Sequence, residues 1–210
     1  MFIKRNDFAL FHENIYIPEL TFENLEMVSK KAKNYESTGF SVGIGHTRWA
    51  THGKPTELNA HPHLGQNSYV VHNGIIENYQ ELKTMLTAQG VQFLSQTDTE
   101  VIVHLFEHQL KTATSPFQAF EQTLAQLHGA YAILLVNADT EGTIFFAKHG
   151  SPMIIGRNSE NETLYGSSDA ALIGKCHEVI YLEDGHYGYA SAEKTVLFNE
   201  QHQEIALRFT

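Results

Sequence analysis

Residues whose side chains could bind or activate a small polar molecule are concentrated between positions 46 and 100. Arg48 offers a planar guanidinium that suits a carboxylate, and Asp98 offers a negative charge that suits an ammonium group. Asn73 and the backbone N–H of Gly74 are two neutral donors that could stabilise a developing oxyanion. These residues belong to four polar segments: 46–53 (HTRWATHG), 59–63 (NAHPH), 71–78 (VHNGIIEN) and 97–100 (TDTE).

One chemistry that these groups share is recognition of an amino acid. An amino acid carries a carboxylate and an ammonium group on its α-carbon, and glutamine adds a side-chain carbonyl. Arg48, Asp98 and the Asn73–Gly74 pair therefore match an amide hydrolase that acts on glutamine. Residue types alone leave two other interpretations open.

A purely structural role is the first alternative. An Asn-Gly pair after a strand is typical of a hairpin turn, because both residues tolerate positive φ. Asp98 could belong to a capping box, in which Thr97 and Glu100 exchange hydrogen bonds with the free N–H groups of a helix's first turn. This interpretation does not explain why so many polar groups crowd around two short predicted strands.

A metal site is the second alternative, because five of the 13 histidines lie between positions 46 and 72. His61 and His63 are spaced to chelate a metal from one extended segment. Three further histidines could complete the shell: His46, His52 and His72. No His-Glu-x-x-His motif and no acidic ligand cluster accompanies them, so neither a metal nor a cofactor is expected.

Helices are predicted around these segments. Ser115-Pro116 is typical of an N-cap followed by proline at the first helical position. Apolar residues then recur at 3-4-3 spacing, up to a glycine: Phe117, Phe120, Leu124, Leu127 and Gly129. A second helix is predicted after the 97–100 capping box. A third is predicted by an apolar stripe closed by a glycine: Ile75, Tyr79, Leu82, Leu86 and Gly90.

Short runs of β-branched and aromatic residues predict the strands. The clearest runs are 69–71, 131–136, 143–147, 153–155 and 179–182, with weaker ones at 41–44 and 195–198. Many strands and about four helices, not in strict alternation, favour an α+β fold over a doubly wound sheet.

The composition argues against several classes of protein. A length of 210 residues predicts a single domain over 1–210. The net charge of −10 argues against nucleic acid as the main ligand. No run of about 18 apolar residues is present, which argues against a membrane partner, and the charged N-terminus does not fit a signal peptide. Cys176 is the single cysteine, so no internal disulfide is expected. These features predict a cytoplasmic protein.

In their order and separation, the four polar segments resemble the glutaminase domains of the glutamine–fructose-6-phosphate aminotransferases. Those domains are class II glutamine amidotransferases of the N-terminal-nucleophile hydrolase superfamily. The similarity covers roughly residues 20–190 and includes further segments at 128–132 (HGAYA), 148–156 (KHGSPMIIG), 167–169 (SSD) and 181–185 (YLEDG). It implies an αββα sandwich, in which two antiparallel sheets pack face to face between helical layers.

The resemblance also implies a role for each matching residue. Arg48 would bind the α-carboxylate of glutamine and Asp98 its α-amine, while Asn73 and Gly74 would form the oxyanion hole. Thr51 and His52 would shape the wall of the same pocket. Trp49 would lie in the loop that covers bound glutamine, and His61 would support the base of that loop. The products would be glutamate and ammonia, the latter for glucosamine 6-phosphate synthesis.

The N-terminus departs from the family's pattern. Members begin, after methionine removal, with Cys-Gly-Ile-Val-Gly, in which the cysteine is the nucleophile and its α-amine the general base. This sequence begins MFIKR. The first strand and first helix are therefore expected to be missing and the activity to be lost or impaired. Cys176 is expected to be a buried, inert thiol.

Further expectations concern partners and function. A sheet edge left open by a missing strand would favour a homodimer or pairing with another chain. The sequence ends at Thr210 without a sugar-isomerase domain, so full aminotransferase activity is not expected from this chain alone. The alternative function is a non-catalytic module that binds glutamine or glutamate through Arg48 and Asp98.

Overall fold

The computed structural model describes residues 42–46, 56–140, 142–191 and 193–210, and in those ranges the chain forms three α-helices and ten strands. The helices are α1 (Tyr79–Ala88), α2 (Glu100–Leu110) and α3 (Pro116–Leu124). The first five strands are β1 (His63–Leu64), β2 (Ser68–Ile76), β3 (Gly129–Asn137), β4 (Ile144–His149) and β5 (Ile154–Arg157). The last five are β6 (Thr163–Gly166), β7 (Glu178–Tyr181), β8 (Tyr187–Ala190), β9 (Thr195–Phe198) and β10 (Glu204–Ile205).

Seven strands form one antiparallel sheet in the order β1-β2-β3-β4-β8-β9-β10. β2 and β3 pair along their whole length, with Asn73 opposite Ala132. Neighbouring residues of a strand point to opposite faces of the sheet. Val70 packs among the helices and Val71 among residues of a second sheet, and both are fully buried. The large sheet is therefore covered on both faces.

The second sheet has three antiparallel strands in the order β6-β5-β7. Its inner face packs on the large sheet through Ile155 and Tyr165, and the Tyr165 ring lies 5.3 Å from that of Phe146 in β4. Its outer face carries a smaller apolar cluster that includes Leu172, with Cys176 packed against it.

The helices cover the other face of the large sheet. Phe106 of α2 and Phe120 of α3 are fully buried and lie 5.9 Å and 5.5 Å, centroid to centroid, from the ring of Phe145 in β4. Burial of such side chains supplies about 2 kcal/mol each, which fixes the helical layer on the sheet. No described helix is long and apolar enough to cross a membrane.

The α+β class and the two stacked antiparallel sheets are thus confirmed. In the part of the chain that the structure describes, the outer side of the small sheet carries the short 3-10 turn Asp169–Ala171 and no α-helix. The expectation about the first strand and first helix concerns 1–41, which lies outside the described residues.

Several predicted elements agree with the structure and others do not. The Ser115 cap is confirmed, because its Oγ accepts a hydrogen bond from the N–H of Gln118 at 3.1 Å. The predicted stripe starting at Ile75 was wrong at its first residue, since β2 runs through Ile76 and α1 begins only at Tyr79. The weak strand at 41–44 does not form over the described residues 42–46.

The capping box was also wrong in its partners. The Glu100 carboxylate accepts hydrogen bonds from the N–H groups of Leu94 and Ser95, each at 2.7 Å, rather than capping at Thr97. Thr97 Oγ1 instead contacts His63 Nε2 at 3.0 Å. Glu100 therefore holds the loop that precedes α2, and Asp98 belongs to that loop.

Candidate functional site

Asn73 and Gly74 lie inside β2 and not in a turn, so the hairpin interpretation was wrong. Pairing continues past them to Ile76 opposite Gly129. Gly74 has φ +133°, and a Cβ at this position would collide with the carbonyl oxygen of Ala130. Only glycine fits here without moving β3, because the site has both an unusual φ and no room for a side chain.

The strand β2 and the loop before α2 bring Asp98 close to this pair. Asp98 is 3% exposed, and its Oδ2 accepts a hydrogen bond from the N–H of Ile76 at 2.8 Å. The carboxylate is thus anchored two residues along β2 from Gly74.

His72 lies in β2 and interacts electrostatically with the Asp98 carboxylate. Its Nδ1 is 3.0 Å from Thr99 Oγ1, and the ring is 3% exposed. Burial lowers the pKa of His72, and the nearby charge of Asp98 and the carbonyl of Ala130 only partly oppose that shift. The lowered pKa favours the neutral imidazole, which supplies no countercharge to Asp98.

His61 occupies the space between the histidines of the site. Its Nδ1 accepts a hydrogen bond from the N–H of His72 at 3.3 Å, and its ring stacks on that of His46 at 4.3 Å and 21°. His63 meets the same ring edge-on at 4.8 Å. The described residues contain no group of three side chains placed to hold a metal ion.

His46 contacts the oxyanion-hole candidate directly. Its Nε2 lies 2.5 Å from Asn73 Oδ1. His46 was not predicted to have a role outside a metal shell, although its place at the start of the HTRWATHG segment was a signal that could have identified it. Arg48, Trp49, Thr51 and His52, which belong to the same segment, lie outside the described residues.

A loop after β4 reaches the same place. The Asp184 carboxylate accepts hydrogen bonds from Lys148 Nζ and, at 2.8 Å, from the N–H of Gly150. Ser151 follows, and its Oγ would lie 2.9 Å from a Cβ at Gly74. Sequence reasoning missed Ser151 as a neighbour of the site, because the KHGSP segment reaches β2 only through the pairing of β2 with β3 and of β3 with β4.

Cys176 is remote from these groups in the fold. It packs on the outer face of the small sheet, against Leu172 and Gly156. Burial raises the pKa of its thiol, and the charge of Lys175 only partly opposes this. A raised pKa reduces the thiolate that nucleophilic attack requires.

Comparison with known protein families gives a match for residues 46–174, which fit the model of a glutamine amidotransferase domain. The chain is 54% identical over 174 residues to a glutamine–fructose-6-phosphate aminotransferase of Campylobacter jejuni, covering 83% of this chain and 29% of that protein. A protein of the same name from Helicobacter pylori is 46% identical over 169 residues, with 80% and 28% covered. The chain therefore spans less than a third of the length of these relatives.

Solved structures show the same fold. A glutamine phosphoribosylpyrophosphate amidotransferase from Bacillus subtilis superposes with a TM-score of 0.68 at 21% identity, covering 97% of this chain and 44% of that one. A glutamine aminotransferase class-II domain protein from Silicibacter pomeroyi gives 0.63 at 15% identity, covering 94% and 90%. The chain therefore has the fold of these two structures.

Proposed function

The chain belongs to the glutamine amidotransferase domain family, and from that membership we propose that it binds glutamine with its side-chain amide against Asn73 and Gly74. Asp98 would bind the α-ammonium group. One observation carries this proposal: the buried Asp98 is hydrogen-bonded to Ile76, two residues along the strand from Gly74. The two ends of a glutamine molecule thereby face groups of the required charge and polarity.

The other pocket residues are proposed from the matching sequence. Arg48 would pair with the α-carboxylate, as a planar guanidinium does well. Trp49, Thr51 and His52 would line the pocket and cover it. His61 supports the strand that carries Asn73, since its Nδ1 accepts a hydrogen bond from the N–H of His72, the residue before Asn73.

The relatives' names suggest the larger reaction. We propose that this domain is the glutaminase part of a glutamine–fructose-6-phosphate aminotransferase, which releases ammonia for transfer to the sugar phosphate. An identity of 54% to the Campylobacter jejuni enzyme supports this assignment. The transfer itself would require the part of the relatives that this chain does not span.

We propose further that the 210-residue chain, assayed as such, hydrolyses glutamine poorly or not at all. Its single cysteine is Cys176. Cys176 lies mid-chain, so it has no free α-amine beside it to act as the base, and it packs on the far side of the small sheet. The single thiol of the sequence therefore lies away from Asn73, Gly74 and Asp98, the described groups proposed to bind the substrate.

Glutamate release from glutamine by the purified chain, with its intact mass verified, tests this account. We expect no release above background in the parent chain and in Cys176→Ser. Release by the parent at rates typical of enzymes would contradict the assignment of an absent nucleophile. Loss of such release in Cys176→Ser by more than tenfold would identify Cys176 as that nucleophile.

A second candidate function is a non-catalytic module that binds glutamine or glutamate. The observation that favours it is the same separation of Cys176 from the site, because binding does not need a nucleophile. Equal binding of both amino acids without turnover would support this function over a glutaminase.

We also propose a cytoplasmic chain that pairs with a second copy through a sheet edge. The outer strands of the large sheet, β1 and β10, have two residues each, and such short edges pair poorly. β6 has four residues and, within the described ranges, β5 as its one strand partner.

A further inference from the structure

The contact between His46 and Asn73 constrains which way the amide of Asn73 faces. An asparagine side chain has an acceptor oxygen on one side and an NH2 donor on the other. Oδ1 of Asn73 lies 2.5 Å from Nε2 of His46, so Nδ2 points away from His46. Only a donor can stabilise a substrate oxygen. The opposite orientation would present an acceptor to that oxygen and repel it.

We propose that His46 is a positioning residue whose Nε2–H donates to Asn73 Oδ1 and so holds the Asn73 amide with its NH2 group toward the side-chain carbonyl of glutamine. The proposal rests on the proposed glutamine site. It assigns His46 no contact with the substrate, because it acts through Asn73.

The surrounding histidines fix the ring of His46. His61 stacks on it at 4.3 Å with an angle of 21° between the ring planes. His61 is itself tied to β2, since its Nδ1 accepts the N–H of His72 at 3.3 Å and its Nε2 lies 3.5 Å from Thr99 Oγ1. His46 is therefore supported, through His61, by the backbone of His72, the residue before Asn73.

This closed arrangement explains a histidine at position 46. A series of contacts runs from the N–H of His72 through the rings of His61 and His46 back to the side chain of Asn73. A strand residue and its neighbour are thus linked by two stacked rings. Such a link resists rotation of the Asn73 amide, which a single hydrogen bond from solvent would not do.

Calorimetric titration with glutamine and with norvaline separates this role from general stability. Norvaline carries the same α-groups and lacks the side-chain amide, so the ratio of the two affinities reports the contact with Asn73. We expect His46→Ala to bind norvaline with an affinity within about twofold of that of the parent. Its preference for glutamine over norvaline should be about fivefold smaller than that of the parent. His46→Gln keeps an N–H donor and should retain most of that preference. The exposed His177→Ala is the control and should change neither affinity.

An unchanged preference in His46→Ala would overturn the proposal, as would a His46→Gln variant that loses as much as His46→Ala. Equal losses for both ligands would also overturn it, since they would indicate a structural role. Failure of the parent to bind either amino acid would instead refute the proposed glutamine site.

The ligand-free protein gives a test that does not depend on binding. In ¹⁵N spectra of the imidazoles at pH 7, we expect the proton of His46 on Nε2. We also expect the side-chain amide signals of Asn73 to move in His46→Ala. A proton on Nδ1 with a bare Nε2, or unmoved Asn73 amide signals, would overturn the proposal whatever the outcome of the titrations.

Discussion

The carboxylate of Asp98 is buried, and burial destabilises its charged form. The residue is 3% exposed, and a single backbone N–H, that of Ile76, bonds to one of its oxygens. One such bond offsets only part of the cost of removing a carboxylate from water. The lowered pKa of the neighbouring His72 favours its neutral form, which adds no countercharge. We propose that a ligand ammonium group supplies the countercharge to Asp98.

Gly74→Ala tests how tightly β2 and β3 approach at the site. The new methyl group would collide with the Ala130 carbonyl, and φ +133° disfavours any side chain. We expect a loss of about 3 kcal/mol in the free energy of unfolding, measured by urea denaturation. Gly45→Ala is the control, because a Cβ at Gly45 has no neighbour within 4 Å among the described atoms. Equal stabilities of the two variants would contradict this packing.

At the scale of elements, the N-terminal end of α2 positions the site. Glu100 is the first residue of the helix and is 2% exposed. Burial acts to raise the pKa of Glu100. Hydrogen bonds from His104, Leu94 and Ser95 together outweigh that effect and lower the pKa to about 2. The loop that carries Asp98 is thus held by an ionised carboxylate.

This arrangement predicts that the free energy of unfolding depends on Glu100 at acidic pH. Its pKa rises from about 2 in the folded state to 4.5 in the unfolded state, so its contribution is present above pH 4.5 and is lost as the pH falls toward 2. Between pH 5 and pH 3, we expect the parent to lose about 2 kcal/mol more unfolding free energy than Glu100→Gln does. Urea denaturation at the two pH values measures the difference. The exposed Glu160→Gln should follow the parent, and parallel losses in parent and Glu100→Gln would contradict the role of Glu100.

Local patterns predicted the elements whose apolar residues dominate. The strands β3, β4, β5, β7 and β9 and the start of α3 at Ser115 all follow from β-branched runs or from a cap. β6 and β8 were missed because each has only four residues and one of them is glycine, which weakens the strand pattern. The Asn73–Gly74 pair was ambiguous, because a turn and a strand with a special φ both favour glycine. Pairing with β3 over nine residues decides between them, and that pairing is a long-range contact.

The candidate site was predictable in part. Motif order identified Asn73, Gly74 and Asp98, which the structure brings together at β2. It did not reveal the link from His61 through His46, since ring stacking depends on how residues far apart in the sequence meet.

At the scale of the whole molecule, the C-terminal residues connect the two sheets. β10 belongs to the large sheet, while Thr210 exchanges two backbone hydrogen bonds of 3.0 Å with Val179 in β7 of the small sheet. The guanidinium of Arg157 lies over the ring of Phe209, with its Cζ 3.9 Å from the ring centroid. These contacts occupy the β7 edge of the small sheet.

The proposed pairing predicts a dimer at high protein concentration. Light scattering over a concentration series should give a mass that rises toward twice that of one chain, because an unpaired strand edge offers backbone donors and acceptors to a second copy. A mass of one chain throughout the series would contradict the proposal.

Binding of glutamine to the parent chain and to Asp98→Asn tests the central claim most directly. Asparagine retains an oxygen that can accept the N–H of Ile76, so the fold should persist while the charge is lost. Calorimetry should show saturable binding by the parent and by the exposed control Asp139→Asn, weakened at least about 30-fold in Asp98→Asn. Equal affinities in all three proteins, or no saturation of the parent at millimolar glutamine, would contradict the account.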